Sequence, residues 1–224
     1  STPAWSHDGK FLYGGLRNVP RVIAFDMTTL ASVGSALLGR GDTGESGFAS
    51  GVNLSPDGTK LYAAVVSGNH RHNDGAGAGS DTGEDLDLGS YDLDLVQLDP
   101  ATLTEVARVS IVTAAALHMK SGLTAISPDG TRAVIPVGSD KGMVYVVDLE
   151  NMTLLGSVDV TANTVEPRAV AINAAGTTAA VINGDDSAGI DLVDIAGLRF
   201  TPITPAAPGD ETKYGTPVLY GPDG

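Results

Sequence analysis

The chain of 224 residues contains no cysteine. Disulfides, thiolate nucleophiles and Cys-ligated metal centres are therefore excluded, although the compartment stays open on this count. Aromatic residues make up 5% of the chain, with one tryptophan. Trp5 and the other rings read as packing residues rather than as a stacking platform for sugars. Cations are scarce: 13 Lys and Arg stand against 27 Asp and Glu, a net charge of −14. Nucleic acids and anionic membranes are bound by clustered Lys and Arg, which this chain lacks, so neither is expected as a partner. No apolar run approaches the ~18 residues of a membrane-spanning helix, and no secretory leader can be read. Helical periodicity is equally scarce. The one tempting stretch, 112–120, is too short to stand as an independent helix. Gly-x-Ser-x-Gly elbows, phosphate-binding loops and His-Glu-x-x-His are absent, which removes the common hydrolase and nucleotide-binding motifs.

What is present is repetition. Ser6-His7-Asp8-Gly9, Ser55-Pro56-Asp57-Gly58 and Ser127-Pro128-Asp129-Gly130 are one turn written three times, with Asn173-Ala174-Ala175-Gly176 a worn copy and Gly221-Pro222-Asp223-Gly224 a fifth. The turn glycines 9, 58, 130, 176 and 224 are spaced 49, 72, 46 and 48 residues apart. The long step holds a Gly- and Asp-rich insertion at 67–90, and without those 24 residues it shrinks to 48. A unit of this length suits a four-stranded propeller blade. Pro presets φ before the bend and Gly tolerates positive φ after it. Each unit runs strand, Asp-Gly turn, strand, then a third strand ending in Asp26, Asp99, Asp148 or Asp194, then a fourth. Short β-branched segments between turns argue for an all-β chain. The recurrent Asp marks a turn-capping role.

The run Ser-Pro-Asp-Gly-Thr-Lys-Leu-Tyr at 55–62, Val-Tyr-Val-Val-Asp-Leu at 144–149 and the Thr-Leu segments that follow resemble the bacterial and archaeal Tyr-Val-Thr-Asn repeat propellers, whose look is shared by lactonase-type propellers. The resemblance covers nearly the whole chain. It implies an all-β β-propeller of four-stranded antiparallel blades at approximately 1–39, 48–112, 120–161 and 166–204, with the start of a further blade at 215–224. The chain is expected to be part of a larger ring, seven-bladed by resemblance, completed by a complementary chain or a second copy. It also implies a periplasmic or extracellular location.

By the same resemblance, the loop between the second and third strands and the connections between blades open on one face, where propeller ligands sit. The 67–90 insertion belongs to that face, and a loop of this length is functional or disordered. His70 and His72 form a His-x-His pair whose side chains point the same way on an extended segment, and His118 lies on the next connection. Three imidazoles suit copper or zinc. The alternative is a solvated polar loop. Asp81, Glu84, Asp85 and Asp87 could supply oxygens to calcium or belong to a flexible Gly/Asp loop. Glu166 and Arg168, at the entry to the fourth blade, could line a ligand site in which Arg168 grips a carboxylate or phosphate, or could form an ion pair between blades. Arg17, Asn18 and Arg21 in the first blade and Asp185 and Asp186 in the fourth occupy equivalent loops and could join that ligand site, or be surface turns. Three functions are compatible with this pattern. The first is a binding or scaffold module, which requires nothing beyond what is visible. The second is a copper oxidoreductase with His70, His72 and His118 among its ligands. The third is a lactonase-like hydrolase with Glu166 or an Asp as base. Fold does not choose among them.

Overall fold

The structure, a computed structural model, describes residues 3–40, 47–68, 90–116, 120–121, 123–138, 141–162, 164, 166–184 and 189–203. Every regular element in it is a strand. Blade 1 comprises β1 (Ala4–Trp5), β2 (Phe11–Gly15), β3 (Arg21–Asp26) and β4 (Ala31–Leu37). Blade 2 comprises β5 (Gly47–Leu54), β6 (Leu61–Gly68), β7 (Ser90–Leu98) and β8 (Glu105–Ala116). Blade 3 comprises β9 (Lys120–Ser121), β10 (Ala125–Ile126), β11 (Arg132–Gly138), β12 (Met143–Asp148) and β13 (Thr153–Asp159). Blade 4 comprises β14 (Pro167–Ile172), β15 (Thr178–Asn183), β16 (Ile190–Asp194) and β17 (Arg199–Ile203). Within each blade the strands are antiparallel and ordered as in the chain, with β9 an extra partner of β11. Four successive sheets of this kind are propeller blades. Residues 112–116 of the 112–120 stretch, the one hint of helical periodicity, are the end of β8, because Ser90 pairs with Ala116 and extends the hairpin.

The turns are built by their own side chains. The hydroxyl of Ser55 donates to Asp57 (2.6 Å) and accepts the amide of Lys60 (2.9 Å), while the Asp57 carboxylate accepts the amide of Thr59 (3.0 Å). Ser127, Asp129, Thr131 and Arg132 repeat this in blade 3, and Ser6, Asp8, Lys10 and Phe11 in blade 1. In the worn copy Asn173 does both jobs, its Oδ1 accepting the amides of Thr177 (2.9 Å) and Thr178 (3.1 Å). Gly9, Gly58, Gly130 and Gly176 all adopt φ between 71° and 75°, where a Cβ is strained. At the other hairpin, Asp26, Asp99, Asp148 and Asp194 each accept two backbone amides. The fourth residue on from each (Leu30, Leu103, Met152 and Leu198) has positive φ.

The core lies between blades. Val22, Tyr13 and Ala24 of blade 1 pack on Leu61, Val65, Val96 and Leu98 of blade 2. The opposite side of blade 2, with Tyr62, Val66, Leu93 and Leu95, packs on Ile135, Val137, Val147 and Leu149 of blade 3. Val134, Val144, Val146 and Val158 of blade 3 pack on Val181, Val193 and Ile195 of blade 4. A strand buried on both sides reads as an unbroken apolar run, and β6 and β11 are nearly so. The turns also stack: a Cβ on Gly58 would meet the imidazole of His7 at 3.1 Å, and one on Gly130 would meet Pro56 at 3.2 Å.

Candidate functional site

A polar cluster sits where the chain enters blade 4. Thr164 is buried; its amide donates to the Val160 carbonyl (2.9 Å) and its hydroxyl accepts the Glu166 amide (2.9 Å). This turn sets the direction of Glu166. Pro167 pairs with Asn183 and Ala169 with Ile182, so Arg168 is the bulged residue of β14. A bulge re-aims a side chain at the rim of a sheet. The Arg168 carbonyl accepts the Leu123 amide of blade 3 (2.7 Å), and its Nη2 donates to Glu166 Oε2 at 2.8 Å. The pair is thus formed between residues two apart in the chain, rather than across a blade boundary, and both side chains reach solvent, 33% and 21% exposed.

Gly184 makes room for this arrangement. A Cβ there would fall 2.1 Å from Arg168 Cδ and Nε, so the arginine stem lies directly on the glycine backbone. Beside it, Asn183 is 6% exposed. Among the described residues, neither its Nδ2 nor its Oδ1 has a hydrogen-bond partner, and the same holds for Arg168 Nε. Burying an amide without partners costs roughly 1–3 kcal/mol. At the equivalent place in their second strands blade 2 carries Val65 and blade 3 carries Val137, both buried. The substitution of Asn for Val at a core register therefore belongs to this blade alone. Sequence reading missed Asn183 because Asn183-Gly184 resembles an ordinary turn; the signal was the departure from Val in the aligned repeats.

Of the remaining sequence candidates, several lie outside the described residues. Arg17 is exposed on blade 1, and the blades pack in chain order, so blades 2 and 3 stand between it and Arg168. His70, His72, His118, Asp185 and the acidic run from Asp81 to Asp87, which carry the metal and calcium expectations, lie outside the described residues. Among the described residues no group of three or more His, Asp or Glu is placed to hold a metal ion. No described helix is long and apolar enough to cross a membrane.

A second polar cluster was not foreseen. Asp94 of β7 is fully buried, and its carboxylate accepts Arg40 Nε (2.7 Å), Arg40 Nη2 (2.6 Å), Arg108 Nη1 (2.7 Å) and the Ser110 hydroxyl (3.1 Å). Arg108 also donates to Glu105 and to the Leu38 carbonyl. Arg40 lies in the connection from blade 1 and Asp94 in blade 2, so this fork ties the two blades together. Every lone pair of the carboxylate is engaged, which leaves it no capacity for a ligand.

No protein-family model matches the chain, and no curated protein does. Among solved structures the chain is similar to Kuenenia stuttgartiensis hydrazine synthase, with a TM-score of 0.56 and 20% identity, over 90% of this chain and 48% of that one. It thus spans about half the length of the solved chain it matches. A likeness at that identity carries the fold: the chain is a β-propeller, or four blades of one.

Proposed function

We propose that this chain is a non-catalytic binding or scaffold module of the Tyr-Val-Thr-Asn propeller type, working outside the cytoplasm through the rim of blade 4 and the 67–90 loop. Further blades, from a complementary chain or a second copy, complete the ring. The observation that carries the reading is the Glu166–Arg168–Asn183 group. A partly exposed guanidinium is aimed by a bulge and seated on a glycine, beside a buried amide that has no side-chain hydrogen-bond partner among the described residues. Its chemistry suits a small ligand carrying a carboxylate or phosphate. The guanidinium presents a planar fork to the anion, Glu166 fixes the orientation of the fork, and the Asn183 amide supplies one donor and one acceptor.

The test is a titration with acetate and inorganic phosphate followed by NMR of the arginine Nε–H signals. The Arg168 signal is expected to shift in a saturable way, with at least a tenfold loss of affinity in Arg168→Lys, which keeps the charge but loses the fork. Gly184→Ala, whose methyl displaces the arginine, is expected to weaken binding comparably. If neither anion moves the Arg168 signal, the rim is not an anion site.

A further inference from the structure

The three joints between blades are not alike. Blades 2 and 3 meet through apolar side chains, and blades 1 and 2 add the Arg40–Asp94–Arg108 fork. Between blades 3 and 4, the half of the joint far from the 184–189 connection is apolar too, with Ala179, Val193 and Ile195 in one cluster with Val134 and Val146. The half near that connection differs. Val181 packs on blade 3, and Asp191 is its cross-strand partner. Asn183 stands two residues on from Val181, so all three share one face. Asn183 takes the register of Val65 and Val137. Asp191 takes that of Val96, which pairs with Ala63, and Tyr145, which pairs with Ile135. Val96 is fully buried in the joint with blade 1, and Tyr145 packs in the joint with blade 2. Two apolar positions of the seam are thus replaced by a carboxamide and a carboxylate.

Both replacements are buried, Asn183 at 6% exposure and Asp191 at 0%. On the same end of its face, blade 3 carries Val144, Val158 and Val160, whose side chains offer no hydrogen bond. The Asn183 carboxamide has no partner among the described residues. Covering it costs free energy that contact with water would return. A buried carboxylate recovers its desolvation poorly even when it is paired. The strand end is loose as well. The Asn183 N–H donates to the Gly189 carbonyl at 3.4 Å, whereas the other backbone bonds of the turns and connections span 2.7–3.0 Å.

We propose that this end of blade 4 parts from blade 3 and recloses, and that the rim site takes its anion in the parted state. The proposal rests on the anion reading given above and adds the regulation of that site. In the closed joint the Asn183 carboxamide is covered; in the parted joint it meets water and ligand. The apolar half of the seam stays packed, and the Leu123–Arg168 backbone bond (2.7 Å) keeps the inner strands together. Local opening of this kind belongs to the least stable contacts of a fold. A ligand that binds the parted form draws the equilibrium towards it, and its apparent affinity falls with the population of that form.

Amide hydrogen exchange followed by NMR reads the joint. Blade 1 is the control, because it too has a single described neighbour. Amides at 181–183 and 190–191 are expected to exchange about tenfold faster than those at the matching positions 14–16 and 22–23. Asn183→Val and Asp191→Val restore the apolar seam of the other joints. Each is expected to slow exchange at 181–183 about tenfold, with a urea midpoint equal to or above that of the native chain. Asp191→Val carries the second arm. It keeps Glu166, Arg168 and Asn183 and removes a negative charge, which by charge alone strengthens anion binding. A joint held closed gives the opposite, acetate binding about tenfold weaker. Equal exchange in blades 1 and 4, exchange unmoved by both variants, or tighter acetate binding in Asp191→Val overturns the proposal. If acetate and phosphate leave the native Arg168 signal unmoved, the anion reading fails instead, and the exchange comparison still decides whether the joint parts.

Discussion

Single hydroxyls and carboxylates hold the turns, and their loss is measurable. Ser127 is buried and joins Asp129 to the Arg132 amide. Ser127→Ala removes both bonds and leaves a backbone N–H unpaired. We expect a loss of about 1–2 kcal/mol, read as a shift of the urea midpoint at unchanged m. Tyr62 behaves in the opposite sense. Its ring is fully buried and its hydroxyl has no partner among the described residues, and burial pushes its pKa up to about 12. The phenol stays neutral in the fold while the unfolded chain ionises near pH ~10, so its share of stability is present below ~10 and is lost as pH rises to about 12. Tyr62→Phe removes an unpartnered hydroxyl. It is expected to leave stability at neutral pH unchanged or slightly higher, and to flatten the alkaline decline in a melting series from pH 8 to pH 11. A lower neutral midpoint would mean that the hydroxyl is hydrogen-bonded after all.

At the scale of elements, the blades are held by apolar faces, and blades 1 and 2 by one ionic fork as well. Asp94 is buried between Arg40 and Arg108, both partly exposed. Asp94→Ala leaves two guanidinium groups facing each other over a cavity. Breaking a buried pair from one side costs about 3–5 kcal/mol, and the lower end is expected here because the arginines can turn to water. The measurement is chemical unfolding of the variant against the native chain, and a loss below about 1 kcal/mol would place this fork with surface pairs. Most element positions were legible beforehand, because period-two alternation between Asp-Gly turns marks strands wherever it occurs. The third strand of blade 3, 143–148, and the fourth of blade 4, 199–203, fall where the pattern puts them. The Asp94 fork was not legible: Arg40 and Asp94 are 54 positions apart, and neither is unusual in its own segment.

Over the whole molecule, acid sensitivity is distributed through all four blades. Hydrogen bonds from Ser6 and Ser55 hold the Asp8 and Asp57 carboxyls down at about 2, and backbone amides lower Asp26, Asp148 and Asp194 in the same direction. These carboxylates bind protons more weakly folded than unfolded. Their stabilisation is complete above the ordinary carboxyl range near ~4 and is lost as pH falls towards about 2. Melting temperatures should therefore decline steadily below pH 4, and Asp57→Asn should reduce the slope. A flat profile from pH 5 to pH 2 would show that the turns contribute nothing through charge.

The sequence by itself determined the repeat, the strands, the turns and the capping Asp of each blade, because these are local: a hydroxyl two residues from a carboxylate, or a glycine at a forced φ, needs no distant partner. It also brought Glu166 and Arg168 together, since they stand two residues apart. Which residues would become a site was decided only in three dimensions. Asn183 matters because β15 places it in a core register occupied by valine in two other blades, and Arg168 because Gly184 leaves a gap for it. Burial, and the failure of burial, is a property of neighbours distant in the chain, and it is settled only when the blades are stacked.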